Sequence, residues 1–244
     1  MRSLERMVAI LEAVAASREP LSVKRLAALV GLSTSTTWRI ANELAAQGLL
    51  EQPSDRGGYR LGGRLLSIAS TSSAQYEVLG VALSEMEALR DETGETVALH
   101  VRSVDRRICI AEVQSRQAVR RVVPIGLSLP LHVGATGLAL VSALPEAERE
   151  SYLSGLTLSA SEDRALRANL KEVVARGWAY ESNTWAKEVA GWAVPIQSAG
   201  ELRAALSVSG PYLRWTQSAM RRCLPAGLTA AERIGIGIGR TWGR

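Results

Sequence analysis

The stretch from Leu21 to Leu61 reads LSVKRLAALVGLSTSTTWRIANELAAQGLLEQPSDRGGYRL. Its apolar residues recur every three or four positions on both sides of Gly31, which predicts two short helices joined by a tight turn. Two strand-like runs that flank residues 53–57 then predict a β-hairpin. Helix, turn, helix and hairpin in this order are typical of a winged helix-turn-helix, which places its second helix in the major groove of DNA.

Residues that cap helices stand at the expected places in this stretch. The hydroxyl of Ser22 is placed to accept a backbone N–H at the start of the first helix, and Ser33 is placed likewise for the second. Gly31 ends the first helix, because glycine reaches the left-handed conformation without a Cβ clash. The predicted inner faces are Val23, Leu26, Ala27 and Val30 in the first helix, and Thr37, Ile40, Ala41 and Leu44 in the second.

The outer face of the second helix carries short hydroxyls, one arginine and one amide, which suit base edges and phosphates. A solvated face without a partner is the alternative, and the hairpin that follows favours DNA. That hairpin is predicted over Leu49–Gln52 and Gly58–Leu61, with two arginines able to reach phosphate or a minor groove. The candidate DNA-binding residues are Ser22, Arg25, Ser33, Thr34, Ser35, Thr36, Trp38, Arg39, Asn42, Arg56 and Arg60.

An amphipathic helix precedes the helix-turn-helix and is expected to pack behind it. Its apolar stripe is predicted to comprise Leu4, Met7, Val8, Leu11, Val14 and Ala15.

Length and charge fit a regulator of two modest domains. The 244 residues carry a net charge of +5. Residues 1–64 hold nine Lys and Arg against six Asp and Glu, and the remainder holds twenty against eighteen, so most of the excess lies in the smaller part. This is the direction expected for phosphate attraction. No apolar run is long enough to span a bilayer, and the charged first helix is unlike a signal peptide, so we expect a cytoplasmic protein.

Metal and cofactor chemistry is not expected. Cys109 and Cys223 lie far apart and are predicted to be reduced thiols, and His100 and His132 are the only histidines. The Gly235–Gly239 run is not a dinucleotide motif, because no strand, turn and helix with a downstream acid surround it. We therefore predict no cofactor and no metal.

The second half of the chain alternates predicted helices and strands, which favours one mixed sheet flanked by helices over a β-sandwich. An amphipathic helix from Tyr76 is followed by strands around Val97–Val101 and Ile108–Ile110. A last helix is predicted to begin at Thr229 and to be weakened by its glycines. Between these, helices are predicted at Thr136–Ala143, Pro145–Leu153 and Glu162–Arg176, and strands at Gly177–Ser182, Val189–Gln197 and Leu202–Ser209.

Seven segments, in order along the chain, are similar to landmarks of the IclR family of bacterial transcriptional regulators. They are Gly31–Arg39, Tyr59–Gly62 with Arg64–Leu66, Glu92–Val97, Leu129–His132, Arg176–Trp178 and Ala205–Pro211. The resemblance implies an α+β chain: a winged helix-turn-helix domain over 1–63, a linker helix over 64–75 and a GAF-like α/β effector-binding domain over 76–244. It also implies dimers or pairs of dimers on operator DNA, with a small organic effector that changes their affinity.

A ligand pocket is predicted around the loop and helix start that read HVGATGL from His132 to Leu138. Gly134 and Gly137 allow close backbone approach, and unpaired N–H groups at a helix start favour a carboxylate. Ser207 and Ser209 lie two apart on a strand, and therefore on one face. The glycines could instead serve only packing, and the serines could face only water. With the positions that the resemblance implies, the candidate effector-binding residues are Gly134, Ala135, Thr136, Glu181, Gly191, Ser207 and Ser209.

Three positions in this region depart from the pattern that the resemblance implies. Leu138 stands where the family commonly has lysine or arginine, and Glu188 stands where it often has glycine. Gly191 takes a place often filled by cysteine or serine, which enlarges the space and removes a polar partner.

The sequence therefore predicts a DNA-binding regulator, with a repressor favoured over an activator. One alternative is an enzyme domain fused to a winged helix, but residues 120–210 show no convergent nucleophile and base. His132 is interpreted as a hydrogen-bonding loop residue. A second alternative is a winged helix that contacts protein, which would lack salt-dependent DNA binding. Arg214, Arg221 and Arg222 are interpreted as a solvated face.

Overall fold

The computed structural model describes residues 3–17, 19–53, 57–70, 73–182, 187–199 and 201–242. It divides into two compact units, Met1–Ser73 and Ala74–Arg244. None of the helices in these ranges is both long enough and apolar enough to cross a membrane.

The first unit is a three-helix winged helix-turn-helix followed by one more helix. Its hairpin is antiparallel, with Leu50 opposite Leu61 and Glu51 opposite Arg60, so the predicted hairpin is confirmed with shorter strands. The elements are α1 (Ser3–Ala15), α2 (Val23–Val30), α3 (Thr34–Ala46), β1 (Leu50–Glu51), β2 (Arg60–Leu61) and α4 (Gly63–Ser70).

The helix ends in this unit form as the residue types predict. The Ser22 hydroxyl accepts the N–H of Arg25 at 3.4 Å, and the Ser33 hydroxyl accepts the N–H of Thr36 at 3.2 Å. Gly31 ends α2 with a φ of 67°, in the left-handed region. These caps satisfy backbone groups that the helices leave unpaired and set the angle at which α3 follows α2.

Helix α1 packs on a stripe that differs from the prediction. Ile10 and Val14 are buried, whereas Leu4 is 71% exposed and Val8 is 44% exposed. Ala15 is exposed as well, so the prediction was wrong for Leu4, Val8 and Ala15. The packed face runs through Met7, Ile10 and Val14 in helical steps, and Leu4 and Val8 lie off it.

The second unit is one six-stranded sheet between helices. The strand order is β5-β4-β3-β8-β7-β6. Every pair is antiparallel, which corrects the mixed sheet we predicted, because hairpin turns join β3 to β4 and β7 to β8. The elements are α5 (Ser73–Thr93), β3 (Thr96–Ser103), β4 (Arg106–Val113), β5 (Ser128–Pro130), α6 (Gly134–Ser142), α7 (Glu146–Ser154), α8 (Ala160–Arg176), β6 (Ala179–Ser182), β7 (Val189–Ser198), β8 (Glu201–Pro211) and α9 (Gln217–Trp242).

The two faces of the sheet have different cores. Large residues such as Leu99, Trp192 and Leu206 pack with α5 and α9 on one face. On the other face, small residues such as Ala193 and Ala205 lie under α6 and α8. Because the side chains on this second face are small, polar groups beside α6 have room to face one another.

Helix α9 begins twelve residues before the predicted start at Thr229, and its glycines are contact points. A Cβ at Gly235 would lie 2.3 Å from the carbonyl oxygen of Gln197, and one at Gly237 would lie 2.3 Å from a methyl of Val81. The glycines therefore let α9 lie directly on β7 and α5. The interpretation of this run as a weak helix end was wrong, because close packing offsets the low helix propensity of glycine.

Arg214 is not part of a solvated face. Its guanidinium donates to both carboxylate oxygens of Glu95, at 2.6 Å and 3.1 Å, and to the carbonyl of Val119 at 3.0 Å. The Glu95 side chain is only 3% exposed. This two-pronged pair joins the start of β3 to the loop that follows β8, because the carboxylate is buried where few other donors reach it.

Candidate functional site

The outer face of α3 presents its predicted residues to solvent. Thr34, Ser35 and Arg39 are exposed, and Trp38 is 55% exposed. No hydrogen bond or ion pair holds the Arg39 guanidinium within the described ranges, so the cation is available to a partner. Opposite this face, Thr37, Ile40, Ala41 and Leu44 are buried as predicted.

The start of α3 is held by its own hydroxyls. The Ser33 hydroxyl donates to the Thr36 hydroxyl at 2.8 Å and lies 3.2 Å from that of Ser35. Ser22 and Arg25 are exposed at the start of α2. The hydroxyls that would contact phosphate are thus already ordered.

Two further predicted DNA-binding residues have partners elsewhere in the unit. The Tyr59 hydroxyl donates to Oδ1 of Asn42 at 2.6 Å, so Asn42 joins α3 to the hairpin. The Arg60 guanidinium donates to Glu51 at 2.6 Å across the hairpin. Arg56 lies outside the described residues.

A pocket lies between the start of α6 and the small-residue face of the sheet. The empty space inside it is about 490 Å³ when its open mouth is included. The structure brings all of the predicted effector-binding residues to its lining: Gly134, Ala135, Thr136, Glu181, Gly191, Ser207 and Ser209.

The start of α6 already holds a negative group of the chain itself. The N–H of Ala135 donates to the Glu181 carboxylate. A Cβ at Gly134 would lie 3.3 Å from Oε2 of Glu181 and 3.4 Å from Nη2 of Arg107, and the residue has a φ of +73°. Glycine is therefore favoured at 134 by the backbone conformation, and a Cβ there would press on the ends of both side chains.

Two arginines add positive charge to the pocket. Arg107 is 5% exposed, and burial lowers its pKa to about 10 although Glu181 lies near it. Burial also raises the pKa of Glu181, against the opposing effects of the Ala135 N–H, Arg107 and Arg121. Two arginines, Arg107 and Arg121, and one carboxylate, Glu181, line the pocket, so its net charge is +1. Such a site favours a ligand with one negative charge.

His100 is a buried polar group on the floor of this pocket. It is 2% exposed, and neither ring nitrogen has a hydrogen-bond partner among the described residues. Burial, and secondarily Arg107, lowers its pKa to about 3, so the imidazole is neutral at physiological pH.

His100, Arg107 and Arg121 were missed by our sequence analysis, although part of the signal was present. Alternation placed Val97, Leu99 and Val101 on one face of a strand, which puts His100 on the other face. Arg107 is the second residue of β4, opposite Arg102, and lies just before the strand that we predicted around Ile108–Ile110.

The three positions that depart from the family pattern have distinct surroundings. Glu188 has a φ of 62°, in the left-handed region, where glycine is favoured. Leu138 is buried in the apolar cluster between α6 and the sheet. A Cβ at Gly191 would lie 2.8 Å from the carbonyl of Val208 and 3.0 Å from Cβ of Ser209. Glycine at 191 therefore lets β7 and β8 approach closely beside the pocket.

The predicted loop role of His132 is confirmed. Its Nδ1 lies 2.7 Å from the Tyr152 hydroxyl, which also accepts the backbone N–H of His132 at 3.0 Å. Within the described ranges, no three His, Cys, Asp or Glu side chains cluster as metal ligands would.

Comparison with known proteins agrees with this two-unit arrangement. The model of the IclR helix-turn-helix domain matches residues 3–54, and the model of the C-terminal region of bacterial transcriptional regulator IclR matches residues 71–236. The chain belongs to the IclR family. It is a DNA-binding transcriptional regulator and not an enzyme, since its similar relatives are named as regulators and repressors.

Two curated relatives resemble this IclR-family chain over nearly its full length. The acetate operon repressor of Salmonella typhimurium is 29% identical over 99% of the chain and 91% of the relative. The transcriptional repressor IclR of Escherichia coli is 28% identical over 98% and 90%. Among solved structures, an IclR homolog from Microbacterium hydrocarbonoxydans complexed with 4-hydroxybenzoate has a TM-score of 0.78 and 27% identity, covering 96% of this chain and 98% of that one.

Proposed function

We propose that this regulator is a repressor whose affinity for operator DNA changes when a small organic monocarboxylate binds the pocket beside α6. It acts in the cytoplasm as a homodimer or a dimer of dimers, so that two copies of α3 meet two half-sites of DNA. Residues 1–63 form the DNA-binding domain, 64–75 the linker helix and 76–244 the effector-binding domain.

The outer face of α3 supports the DNA-binding part of this proposal. Arg39 is an exposed cation beside exposed hydroxyls, on a helix whose opposite face is fully packed. Such a helix meets a duplex without any change in the core of its own unit. Asn42 and Arg60 already have partners, so we assign the main affinity to Arg39, with Arg25 on phosphate.

The excess positive charge of the pocket is the observation that supports a monocarboxylate. Glu181 already takes the Ala135 N–H, so we assign the ligand carboxylate to the two guanidinium groups instead. A buried guanidinium costs free energy, which Glu181 offsets in part for Arg107, and a ligand carboxylate would offset more of it. The homolog complexed with 4-hydroxybenzoate, a carboxylic acid, adds support by similarity.

A gel-shift titration tests the DNA-binding assignment on genomic fragments that the unmodified protein enriches. Arg39→Ala should weaken binding by about 1–3 kcal/mol, because a well-placed base contact is lost. Arg164→Ala is the matched control, since it removes one exposed arginine from the second unit. Equal binding by both variants would remove Arg39 from the proposal. Binding that does not weaken as salt rises would favour a winged helix that contacts protein.

Calorimetric titration tests the effector assignment with acids and their neutral amides, namely benzoate and benzamide, and propionate and propionamide. At least one acid should bind where its amide does not, and Arg107→Met should abolish that binding while unliganded DNA binding stays intact. Amides that bind as tightly as their acids would contradict the monocarboxylate.

A further inference from the structure

His100 is an unusual group for a protein interior. It is 2% exposed on the central strand β3, and neither ring nitrogen has a hydrogen-bond partner among the described residues. An unpaired buried polar group costs stability, so each one in a folded protein calls for an explanation. Because His100 lines the pocket, a bound ligand can supply the partner.

The sheet register places His100 between the other polar groups of the floor. His100 lies opposite Cys109 on β4 and opposite Ala205 on β8. Arg107 and Ser207 are each two residues from those partners, so both share the pocket face with His100 as diagonal neighbours. A small molecule bound to Arg107 therefore extends over the imidazole.

The charge state of His100 restricts what it can recognise. With a pKa lowered to about 3, the ring is neutral and carries one N–H donor and one nitrogen acceptor. A hydroxyl both donates and accepts, so it can pair with whichever nitrogen faces it. A second carboxylate can only accept, so it cannot donate to the lone pair of the ring nitrogen, and it would exceed the single positive charge of the pocket.

Resting on the monocarboxylate proposed above, we infer that His100 is the residue that selects the effector, by hydrogen-bonding a hydroxyl group. The effector class is then a hydroxylated monocarboxylate. Its carboxylate lies at Arg107 and Arg121, and its hydroxyl lies over His100 near Ser207, whose own hydroxyl donates to the carbonyl of Ala98 at 3.3 Å.

Matched pairs of acids test this inference by calorimetric titration of the full chain. The pairs are 3- and 4-hydroxybenzoate against benzoate, 4-hydroxyphenylacetate against phenylacetate, lactate against propionate, and 4-hydroxybutyrate against butyrate. At least one hydroxylated acid should bind about tenfold more tightly than its partner. When the analogue without a hydroxyl binds, the ring nitrogens of His100 stay without a hydrogen-bond partner, and that lost bond weakens binding.

Two variants assign that preference to the imidazole. His100→Leu should remove the preference, so that each hydroxylated acid binds no more tightly than its unhydroxylated partner. His100→Gln should restore part of the preference, because glutamine keeps a donor and an acceptor. Melting temperature and unliganded DNA binding show that each variant folds. If His100→Leu does not fold, loss of the preference in His100→Ala decides the matter.

The outcomes separate this inference from the proposal beneath it. Acids that bind and change DNA affinity without a hydroxyl preference overturn the inference alone. A preference that survives in His100→Leu does the same. Failure of every acid to bind overturns the hydroxylated effector and the monocarboxylate together.

Discussion

Some residues of the pocket have structural roles that cannot be predicted from the residue type alone. Glu181 was expected to line the effector site; it lines the pocket beside α6, where it is the partner of the Ala135 N–H that we had assigned to a ligand carboxylate. Gly134 permits this, because any side chain there would lie against both Glu181 and Arg107. The local sequence predicted a helix start suited to an anion. The anion that occupies it is the carboxylate of Glu181 on β6, more than forty residues later in the chain.

The buried His100 predicts a specific acid sensitivity. Its pKa falls to about 3 in the folded chain, from an ordinary value of 6.5, by burial and by the charge of Arg107. Between pH 6.5 and pH 3 the imidazole is protonated in the unfolded chain but not in the folded one. The contribution of neutral His100 to the free energy of unfolding is therefore present above pH 6.5 and is lost as pH falls toward 3. From pH 7 to pH 5 the loss is about 2 kcal/mol.

Denaturant unfolding of wild type and His100→Leu at pH 7 and pH 5 measures this loss. The variant should lose distinctly less stability on acidification. His132→Leu is the control, because His132 is less buried and its pKa is lowered by a smaller desolvation. An equal drop in wild type and His100→Leu would mean that His100 does not titrate as its burial implies.

The pair between Glu95 and Arg214 predicts a strong effect at an exposed arginine. Arg214→Ala should destabilise the second unit by about 3 kcal/mol, because it leaves a buried carboxylate without its two donors. Arg222→Ala removes an exposed arginine whose one side-chain partner within the described ranges is the Ser218 hydroxyl, and it should change the unfolding midpoint little. Circular dichroism measures the unfolding midpoints. Similar midpoints for the two variants would contradict a stabilising role for the pair between Glu95 and Arg214.

At the scale of elements, helices were predicted well where residue types mark their ends and poorly where packing sets them. Ser22, Gly31 and Ser33 bound the helix-turn-helix through contacts within four residues, so local sequence was sufficient. Helix α9 differs: the Thr216 hydroxyl caps its start, but Pro225 and four glycines argue against a helix locally, and yet it runs unbroken over 26 residues. Its contacts with β7 and α5 are long-range and invisible to a local pattern.

Two glycines of similar local appearance should respond differently to alanine. In Gly31→Ala the new Cβ meets no atom within 4 Å. The variant should lose about 1 kcal/mol of unfolding free energy, because alanine is strained at the left-handed φ of this residue. Gly137→Ala places a Cβ 2.1 Å from the carbonyl oxygen of Leu131, so α6 must move from the loop before it. Overpacking of this kind costs about 1–3 kcal/mol or more, and it displaces a wall of the pocket.

Thermal unfolding and acid titration of both variants check this difference. Gly137→Ala should unfold earlier and bind benzoate more weakly, while Gly31→Ala keeps the affinity of wild type for benzoate. A larger loss of stability in Gly31→Ala would show that the contact at Gly137 is readily relieved.

At the scale of the whole molecule, the two units must be coupled for an effector to regulate DNA. A ligand shifts DNA affinity only by the difference in its affinity for the two states, typically about 1–3 kcal/mol. The coupling is reciprocal. Saturating operator DNA should therefore change the effector's Kd by the same factor by which saturating effector changes the Kd for DNA.

Fluorescence anisotropy with labelled operator and calorimetry with the tightest-binding acid measure the two factors. Arg39→Ala serves as the control, because it lowers DNA affinity without altering the pocket. Unequal factors at equilibrium would mean that the ligand and the DNA do not act on one shared pair of states.

By itself, the sequence determined the helix-turn-helix, its caps, its hairpin and the polar face of α3, because each depends on residues a few positions apart. It also brought forward the seven effector-binding candidates, partly through the order of family landmarks. Only the tertiary structure decided that Glu181 occupies the start of α6, that Arg107 and His100 share the pocket floor, and that α9 runs through its glycines. These features arise from contacts between strands and helices far apart in the chain, whose burial sets charge and partner in ways that no local pattern records.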